Sequence, residues 1–513
     1  AYRDQGKLDE ALACFRHALG LKPDYAEAYS NLAIVLRAQG RLDEAAASYG
    51  QALALQPDFQ EALNNLANLL AARGEPLQAL GVVRRSLQIK ETPEAKDIFV
   101  ACIKPLRFKH LEEEVRAILV RALGEPWGRP TDLALAAVAL VKANPGVGEC
   151  VARANAAWPR RLSAAELFGQ SAADPLLRSL LEAVTIPDIE LERFLTMARH
   201  TMLKYTGAAN GEASALDFHC ALAQQCFINE YVYAATAEEA ARAQALRDAL
   251  AAALETGASI AAAQLVAVAA YFPLHSITHA SRLLDKQWPH AVNAVLTQQV
   301  REPAQERQYR ESIPRLTTID DEVSLKVQHQ YEENPYPRWI KPAPIDRAPS
   351  IDVFLHRHFP RATFRPLNKT DAIDILIAGC GTGQHSIETA ERFAGARMLA
   401  VDLSLTSLGY AKRKSQALGL TTIDYAQADI LQLGALGRSF DLIESVGVLH
   451  HLEDPLAGWR VLLSVLRPGG FMRLGFYSEM ARRDIVRIRA LIAERGYGRT
   501  AGEIGRARHD LID

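Results

Sequence analysis

The stretch DILIAGCGTGQHSIETAERF, residues 374–393, decides the fold of the C-terminal part of this 513-residue chain. It opens with an apolar run at 374–378, continues through Gly379, Gly381 and Gly383, and ends in a segment whose pattern favours a helix. A strand, a glycine turn and a helix in this order begin a βαβ unit. We therefore expect a ligand to approach the main-chain amides closely at the N-terminus of that helix.

The spacing of the glycines separates two kinds of nucleotide-binding domain. The dinucleotide fingerprint Gly-x-Gly-x-x-Gly requires a glycine at position 384, which is Gln384 here, whereas the third glycine is Gly383. The spacing therefore disfavours a nicotinamide cofactor.

Polar residues close three further strand patterns downstream of the glycine turn. The segment MLAVDLS ends a second strand at Asp402, where a carboxylate can accept hydrogen bonds from both hydroxyls of a ribose. The segment TTIDYAQADI ends in Asp429 and Ile430, and FDLIESVG carries Glu444 and Ser445 at its end. We expect a fifth strand, FMRLGFYS, after the turn LRPGG.

The ordered set GCGTG, VDLS, QADI, FDLIESVGVLHHL and LRPGG resembles the class I S-adenosylmethionine-dependent methyltransferases over about residues 371–480. The resemblance implies a Rossmann-like α/β domain at 371–513 that uses S-adenosylmethionine. It assigns Gly379, Gly381 and Gly383 to the methionine part of the cofactor, Asp402 and Leu403 to the ribose, Asp429 and Ile430 to the adenine, and Glu444 and Ser445 to the sulfonium end.

Methyl transfer requires the nucleophile to lie in line with the S–CH₃ bond, because the sulfonium is already an activated leaving group. A general base is optional. His450 and His451 follow the fourth strand and are the candidates for that role, since a neutral histidine can accept a proton near pH 7. In the alternative, one histidine packs and the other is solvated. The sequence does not identify the methyl acceptor.

A proline-rich arm leads into this domain. Its segment NPYP, residues 334–337, is similar to the Asn-Pro-Pro-Tyr motif of methyltransferases that act on nucleic-acid bases, but that motif belongs at the end of the fourth strand, where ESVG stands. We interpret this similarity as accidental. The aromatic residues Tyr331, Tyr336 and Trp339 either cover the sulfonium or the substrate, or pin the arm to the domain.

The N-terminal part repeats every 34 residues, which is typical of a helical solenoid. The positions that recur are Gly6, Gly40 and Gly74, Ala11, Ala45 and Ala79, and Phe15, Tyr49 and Val83. The pattern resembles the tetratricopeptide repeat, and we expect these repeats to occupy 1–95 and to bind a protein or peptide on their concave face. The first repeat begins inside its first helix, so we expect further sequence upstream.

At roughly 150 residues per domain, the length predicts about three domains. We expect an α-helical region at 96–310, a linker and arm at 311–370, and the α/β domain at 371–513. In the helical region, the apolar run at 260–274 is shorter than the ~20 residues that span a bilayer, and predicts a buried helix.

A possible metal cluster in the helical region has a simpler explanation. His219, Cys220 and Cys226 lie on an apolar stripe at helical spacing, which favours buried packing over a metal site. We therefore predict no metal.

Charge and cysteine content exclude several classes of function. The formal net charge is −2, which disfavours nucleic acid and anionic membranes as partners. The six cysteines include no Cys-x-x-Cys pair, so we expect neither a disulfide framework nor a zinc knuckle, and we place the protein in the cytoplasm.

The family sheet has seven strands, the last two forming a hairpin beside the fifth. Here Ile485, Ile488, Leu491 and Ile492 instead recur at helical spacing after the fifth strand. We expect a domain that stops before its last strands, with the fifth strand at the sheet edge.

Two hypotheses follow for the whole chain. In the first, it is a methyltransferase whose repeats bind a protein partner or substrate. In the second, it is an interaction scaffold whose methyltransferase domain binds the cofactor but is catalytically inactive.

Overall fold

The computed structural model describes residues 7–168, 174–204, 213–345, 347–367, 369, 372–393, 395–498 and 501–512. The chain forms two compact units, Ala1–Glu149 with Asp174–Asp188, and Cys150–Ala173 with Ile189–Asp513. The turn at Gly6 lies outside the described residues, and so does the segment 207–211, where Gly207 and Gly211 in the sequence favour a break between helices. The four-part division at 1–95, 96–310, 311–370 and 371–513 stays a prediction.

The repeats form antiparallel helix pairs that bury small residues where the helices cross. Ala45 and Ala79 are fully buried, and so is Tyr49, the aromatic residue expected behind Ala45. Gly40 and Gly74 have φ angles of +78° and +80°, a conformation that favours glycine at the turns. The helices of this region are α1 (Leu8–Leu21), α2 (Ala26–Ala38), α3 (Leu42–Leu55), α4 (Gln60–Ala72), α5 (Pro76–Ile89) and α6 (Pro93–Ile103).

The region predicted to be helical contains helices joined by loops and, among its described residues, no β-strand. Its helices end or begin where glycine or proline in the sequence favours a turn, since α7 ends at Gly124, α8 begins at Pro130 and ends at Ala143, and α14 ends at Thr256. The helices are α7 (Glu113–Gly124), α8 (Pro130–Ala143), α9 (Pro145–Ala157), α10 (Ala164–Leu167), α11 (Pro175–Ala183), α12 (Ile189–Met202), α13 (Ala213–Ile228), α14 (Ala237–Thr256), α15 (Ala262–Ala269), α16 (His290–Leu296) and α17 (Glu302–Glu311).

Burial explains both features singled out in this region. The apolar run at 260–274 forms the short buried helix α15, followed by a 3-10 turn at Leu274–Ser276. Cys220 and Cys226 are fully buried on α13, and burial lowers the pKa of His219 to about 4. In the described part of the chain, no group of three or more His, Cys, Asp or Glu side chains is arranged to hold a metal ion.

No single helix among the described residues has the length and apolar composition to cross a membrane. The bent pair α8 and α9 meets the criterion only when its two helices are taken together. Leu133, Leu140 and Val141 of α8 are fully buried within the protein, as in the core helix of a globular protein.

The C-terminal part is an α/β domain, as predicted. Among the described residues its strands form one parallel sheet in the order β3-β2-β1-β4-β5. The strands are β1 (Asp374–Ala378), β2 (Arg397–Asp402), β3 (Ile423–Gln427), β4 (Phe440–Val446) and β5 (Leu466–Gly475). The helices are α18 (Glu322–Glu333), α19 (Ile351–His358), α20 (Gln384–Arg392), α21 (Leu405–Ala417), α22 (Pro455–Ser464), α23 (Arg483–Glu494) and α24 (Ala501–Ile512).

The sheet differs from the prediction at one strand. The turn LRPGG was expected to precede β5, but it lies inside the strand because Phe440 pairs with Leu466 before the register shifts and Leu442 pairs with Phe471. As expected, β5 lies at one edge of this sheet. The apolar residues predicted to be helical after β5 lie in α23. At the other edge, Arg315 forms a parallel bridge with Gln427 beside the end of β3.

Candidate functional site

The site predicted from the sequence lies at the carboxyl edge of the sheet. The chain proceeds from β1 through β2 to β3 on one side of β1, and then crosses back to β4 on its other side. Such a reversal opens a crevice beside the strand ends, and ligands of open α/β sheets bind in that crevice.

Of the three glycines in the turn after β1, Gly381 alone has open space where a side chain would stand. All three glycines have positive φ angles, of +79° at Gly379, +52° at Gly381 and +85° at Gly383. A Cβ atom at Gly379 would lie 2.5 Å from the Val448 methyl groups, and one at Gly383 would lie 2.5 Å from Ala411 Cβ. At Gly381 the nearest atom would be a carbonyl oxygen at 3.9 Å. The outer two glycines therefore permit packing, and Gly381 presents open main chain.

The amides of all three glycines have hydrogen-bond acceptors within the protein. The Gly379 amide donates to Val401 O at 2.9 Å, and the Gly383 amide donates to Cys380 O at 3.0 Å. The Gly381 amide donates to Asp402 Oδ2 at 2.8 Å. Two of these hydrogen bonds tie the turn to the end of β2, and the third closes the turn itself.

Asp402 joins the glycine turn to the end of β2. In addition to the Gly381 amide, its carboxylate accepts the Ser404 amide at 3.0 Å through Oδ1. Burial raises the pKa of Asp402, although these amides oppose the shift. A carboxylate oxygen accepts about two hydrogen bonds, so each oxygen keeps capacity for a ligand hydroxyl. The neighbouring Leu403 carbonyl accepts the side-chain amide of Gln427 at 2.8 Å.

Asp429 and Ile430 lie at the end of β3, where both are buried. The Asp429 carboxylate accepts the Leu431 amide at 2.9 Å and so caps a 3-10 turn. The Asp429 amide donates to the Thr317 hydroxyl at 2.8 Å, an interaction that no sequence pattern indicated. Ile430 packs in the apolar cluster beneath the sheet edge.

Glu444 and Ser445 are held by the protein itself. The Ser445 hydroxyl donates to Ala378 O at 2.9 Å, which ties the end of β4 to β1. The Glu444 carboxylate faces α20, where it accepts the Thr389 hydroxyl at 2.8 Å and lies 2.7 Å from His385 Nε2. No sequence pattern singled out His385 and Thr389, although both lie in the segment HSIETA that follows the glycine turn.

The side chains around Glu444 keep its carboxyl group ionised. Burial opposes ionisation, but the neighbouring His385, the hydrogen bond from Thr389 and the charge of Arg473 outweigh it and lower the pKa of Glu444 to about 2. Glu444 is therefore an anion with its own partners, placed to orient the first turn of α20.

The two candidate bases stack on each other after β4. The rings of His450 and His451 are 4.2 Å apart, and the His450 ring is 4.1 Å from that of Tyr477. Neither ring nitrogen of His450 has a hydrogen-bond partner among the described residues. Burial lowers the pKa of His450, and the nearby charges of His451, Arg482 and Arg489 act in the same direction. His450 is therefore neutral near pH 7.

The arm, residues 334–345, is bonded directly to the glycine turn. The Trp339 indole donates to Thr382 O at 3.0 Å, and the Thr382 hydroxyl donates to Pro337 O at 2.7 Å. Trp339 is buried, whereas Tyr336 is 70% exposed. The sequence left open whether the aromatic residues cover the ligand or pin the arm to the domain. Trp339 pins the arm to the domain.

The end of α18 is fastened to the start of α21. The Glu332 carboxylate accepts the amides of Leu405 and Thr406 at 2.6 and 3.2 Å, which places a negative charge at the N-terminus of α21. The Ser404 hydroxyl donates to Tyr331 O at 3.0 Å, and the Tyr331 ring lies 6.5 Å from that of His451. Tyr331, Glu332 and the arm thus border the crevice next to Asp402.

Comparisons with known proteins match both ends of the chain. A family model described as a methyltransferase domain matches residues 375–470, and a model described as a TPR repeat matches residues 1–40 and 33–74. These ranges contain the glycine turn and Asp402, and two of the recurring alanines, Ala11 and Ala45.

Two curated relatives and one solved structure illustrate the similarity. The uncharacterized protein syc1184_c of Synechococcus sp. is 33% identical over 200 residues, which cover 37% of this chain and 47% of that protein. A ubiquinone biosynthesis O-methyltransferase of Cereibacter sphaeroides is 33% identical over 102 residues, 20% of this chain and 40% of that protein. PKMT2 from Rickettsia typhi, solved in complex with AdoHcy, is 23% identical with a TM-score of 0.24, covering 27% of this chain and 28% of that one.

This chain spans less than half the length of these two curated relatives. The family models therefore identify the parts of the chain rather than its substrate. The chain combines tetratricopeptide repeats with a class I methyltransferase domain whose cofactor is S-adenosylmethionine.

Proposed function

We propose that the protein binds S-adenosylmethionine in the crevice at the carboxyl edge of the sheet and transfers its methyl group to an acceptor. The observation that carries this proposal is the open main chain at Gly381, beside an Asp402 carboxylate that keeps hydrogen-bonding capacity. A side chain at position 381 would occupy the space that the proposal gives to the cofactor. When bound, the cofactor supplies an activated methyl group.

Under this proposal each group of residues contacts a different part of the cofactor. Gly379, Gly381 and Gly383 shape the turn around the methionine part, and Asp402 accepts the ribose hydroxyls with Leu403 beside it. Asp429 and Ile430 border the adenine.

Glu444 and Ser445 take a supporting role in our proposal. Their side chains are bonded to α20 and β1, and this favours holding the strand ends over direct contact with the sulfonium. Trp339 and Pro337 then close the crevice against water from the arm side.

We assign proton transfer, if the acceptor requires it, to His450 rather than His451. His450 is neutral near pH 7 and keeps both ring nitrogens free of protein partners among the described residues, so one of them can accept a proton. His451 is exposed, and its ring packs against His450 and Tyr331.

For the repeats we propose recruitment of a protein or peptide, which is what tetratricopeptide repeats generally do. The partner would be the methyl acceptor or a protein that brings it. We also place the protein in the cytoplasm, because all six cysteines are free thiols.

The experiment that tests methyl transfer is incubation of the protein with methyl-labelled S-adenosylmethionine and a fractionated cell extract. Transfer of label to one fraction, lost in Asp402→Ala, would support the enzyme. Saturable cofactor binding with no labelled product in any fraction would favour the second hypothesis, a scaffold that binds the cofactor without turning it over.

A further inference from the structure

A buried cluster of charged side chains lies in the helical part of the second unit, apart from the crevice. Its centre is Glu239 in the first turn of α14, whose side chain is 0% exposed. Arg199 of α12, 2% exposed, lies 3.3 Å from Glu239 Oε1, and Arg161 lies 3.6 Å from Glu239 Oε2. The Tyr271 hydroxyl donates to Glu239 Oε1 at 2.5 Å.

The charges of this cluster do not balance. Among the described residues, two guanidinium groups face one carboxylate, which leaves a net positive charge in a buried position. His200 Nδ1 lies 3.7 Å from Glu239 Oε2, but burial lowers the pKa of His200, so this histidine adds no charge near neutral pH. Glu192 is already engaged by Arg508. A buried charge without a counter-ion costs several kcal/mol, so an anion would be strongly favoured here.

The donors of the cluster are only partly used. Nη2 of Arg199 bonds to the carbonyl oxygens of Tyr233 and Ala234 at 3.1 and 2.9 Å, and Nη2 of Arg161 approaches Ala234 O at 3.4 Å. Each arginine therefore uses its Nη2 atom, and both Nη2 atoms face Ala234 O and the Glu239 carboxylate. Nε of Arg199, Nε and Nη1 of Arg161 and the Tyr233 hydroxyl are buried with no hydrogen-bond partner among the described residues.

Aromatic rings border these unused donors. The Arg161 guanidinium lies 4.9 Å from the centre of the Trp158 ring, and that of Arg199 lies 4.2 Å from the Tyr271 ring. Stacking fixes the plane of a guanidinium group and leaves the N–H groups at its edge to bind.

We propose that this cluster, formed by Arg161, Arg199 and Tyr233 around Glu239, is a binding site for the phosphate group of a ligand. Three N–H-bearing nitrogens and one hydroxyl match the several acceptor oxygens of a phosphate, and guanidinium groups bind such oxygens through paired hydrogen bonds. Its negative charge supplies the missing counter-ion. A carboxylate offers only two oxygens and leaves more of these donors unused.

The test is calorimetric titration of the whole chain with inorganic phosphate, in chloride buffer at constant ionic strength. We expect saturable binding to the wild type, at least tenfold weaker binding to Arg161→Gln, and binding within twofold of the wild type for Arg160→Gln. Arg160 is the matched control, because it adjoins Arg161 in sequence and its side chain is 67% exposed.

A second variant separates binding from folding. Glu239→Gln removes the carboxylate that both arginines share, so we expect phosphate to raise the unfolding temperature of this variant more than that of the wild type. Three results would overturn the proposal: no phosphate effect beyond that of chloride, equal loss in the Arg160 and Arg161 variants, or acetate binding as tightly as phosphate.

Discussion

The repeats and the methyltransferase domain bury their cores over different sequence distances. In the repeats, Ala45 and Tyr49 share a cluster with side chains from α1 to α4, all within residues 11–69. The site of the methyltransferase domain joins Thr317, Glu332 and Trp339 to strand ends that lie 43 to 112 residues further along the chain. Substitutions in the repeats should therefore affect only the repeats, whereas substitutions in the arm should also alter the crevice.

The largest effect is expected at the glycine turn. Replacing Gly383 by alanine places a Cβ atom 2.5 Å from Ala411 Cβ and 2.9 Å from its Cα, with φ at +85°. Overpacking and left-handed strain together should cost about 4 kcal/mol of unfolding free energy. Denaturant titration measures the loss.

The control for this variant is Gly419→Ala, with φ at +70° and no atom within 4 Å of the added Cβ. It should cost only about 1 kcal/mol, since strain remains without the clash. Equal costs for the two variants would show that the turn does not pack against α21 as described.

The next effect depends on pH. The pKa of Glu444 is about 2 in the folded protein, against 4.5 for a glutamate without partners. The ionised carboxylate therefore stabilises the fold above pH 4.5, and this stabilisation disappears as the pH falls to 2. Glu444→Gln should therefore lose about 3 kcal/mol near pH 6, and this difference from the wild type should shrink towards pH 2. Unfolding at a series of pH values measures it.

The matched variant for this comparison is Glu453→Gln, because Glu453 is exposed. Its stability should follow that of the wild type at every pH. A Glu444→Gln difference that does not vary between pH 6 and pH 3 would contradict the ion pair with His385.

A smaller effect tests the arm. Thr382→Val keeps the shape of the side chain but removes the hydrogen bond to Pro337 O, at a cost of about 1 kcal/mol. If the arm closes the crevice, cofactor affinity should fall by about fivefold, the equivalent of that free energy. Thr422→Val, at an exposed threonine, should leave the affinity unchanged. Unaltered affinity in Thr382→Val would separate the arm from the cofactor site.

The smallest effect, and one of opposite sign, is expected in the repeats. The Tyr49 hydroxyl is buried without a hydrogen-bond partner among the described residues, and burial raises the pKa of Tyr49 to about 12. Tyr49→Phe should therefore stabilise the repeats by up to ~1 kcal/mol and leave cofactor affinity alone. A destabilised Tyr49→Phe protein would reveal a partner for this hydroxyl.

Sequence patterns predicted the parts of the site that are formed by local order. The strand before Gly379 and the position of Asp402 follow from a βαβ pattern, and the contact between Asp402 and the Gly381 amide follows from pairing β1 with β2. The repeats were predicted equally well, because each helix packs on its sequence neighbours.

The missed parts depend on contacts between distant segments. Glu332 precedes α21 by 73 residues, and nothing in its surroundings distinguishes it from other acidic residues on a helix. LRPGG has the composition of a turn, yet pairing with β4 draws it into a strand.

The central claim is that the crevice beside Asp402 binds S-adenosylmethionine, and calorimetric titration with the cofactor tests it most directly. We predict saturable binding to the wild type and a loss of about 1.5–3 kcal/mol in Asp402→Ala, the scale of hydrogen bonds to a charged group. Asp424→Ala, at an exposed position of β3, should bind like the wild type. Equal affinity in the Asp402 and Asp424 variants, or no binding to the wild type, would contradict the account.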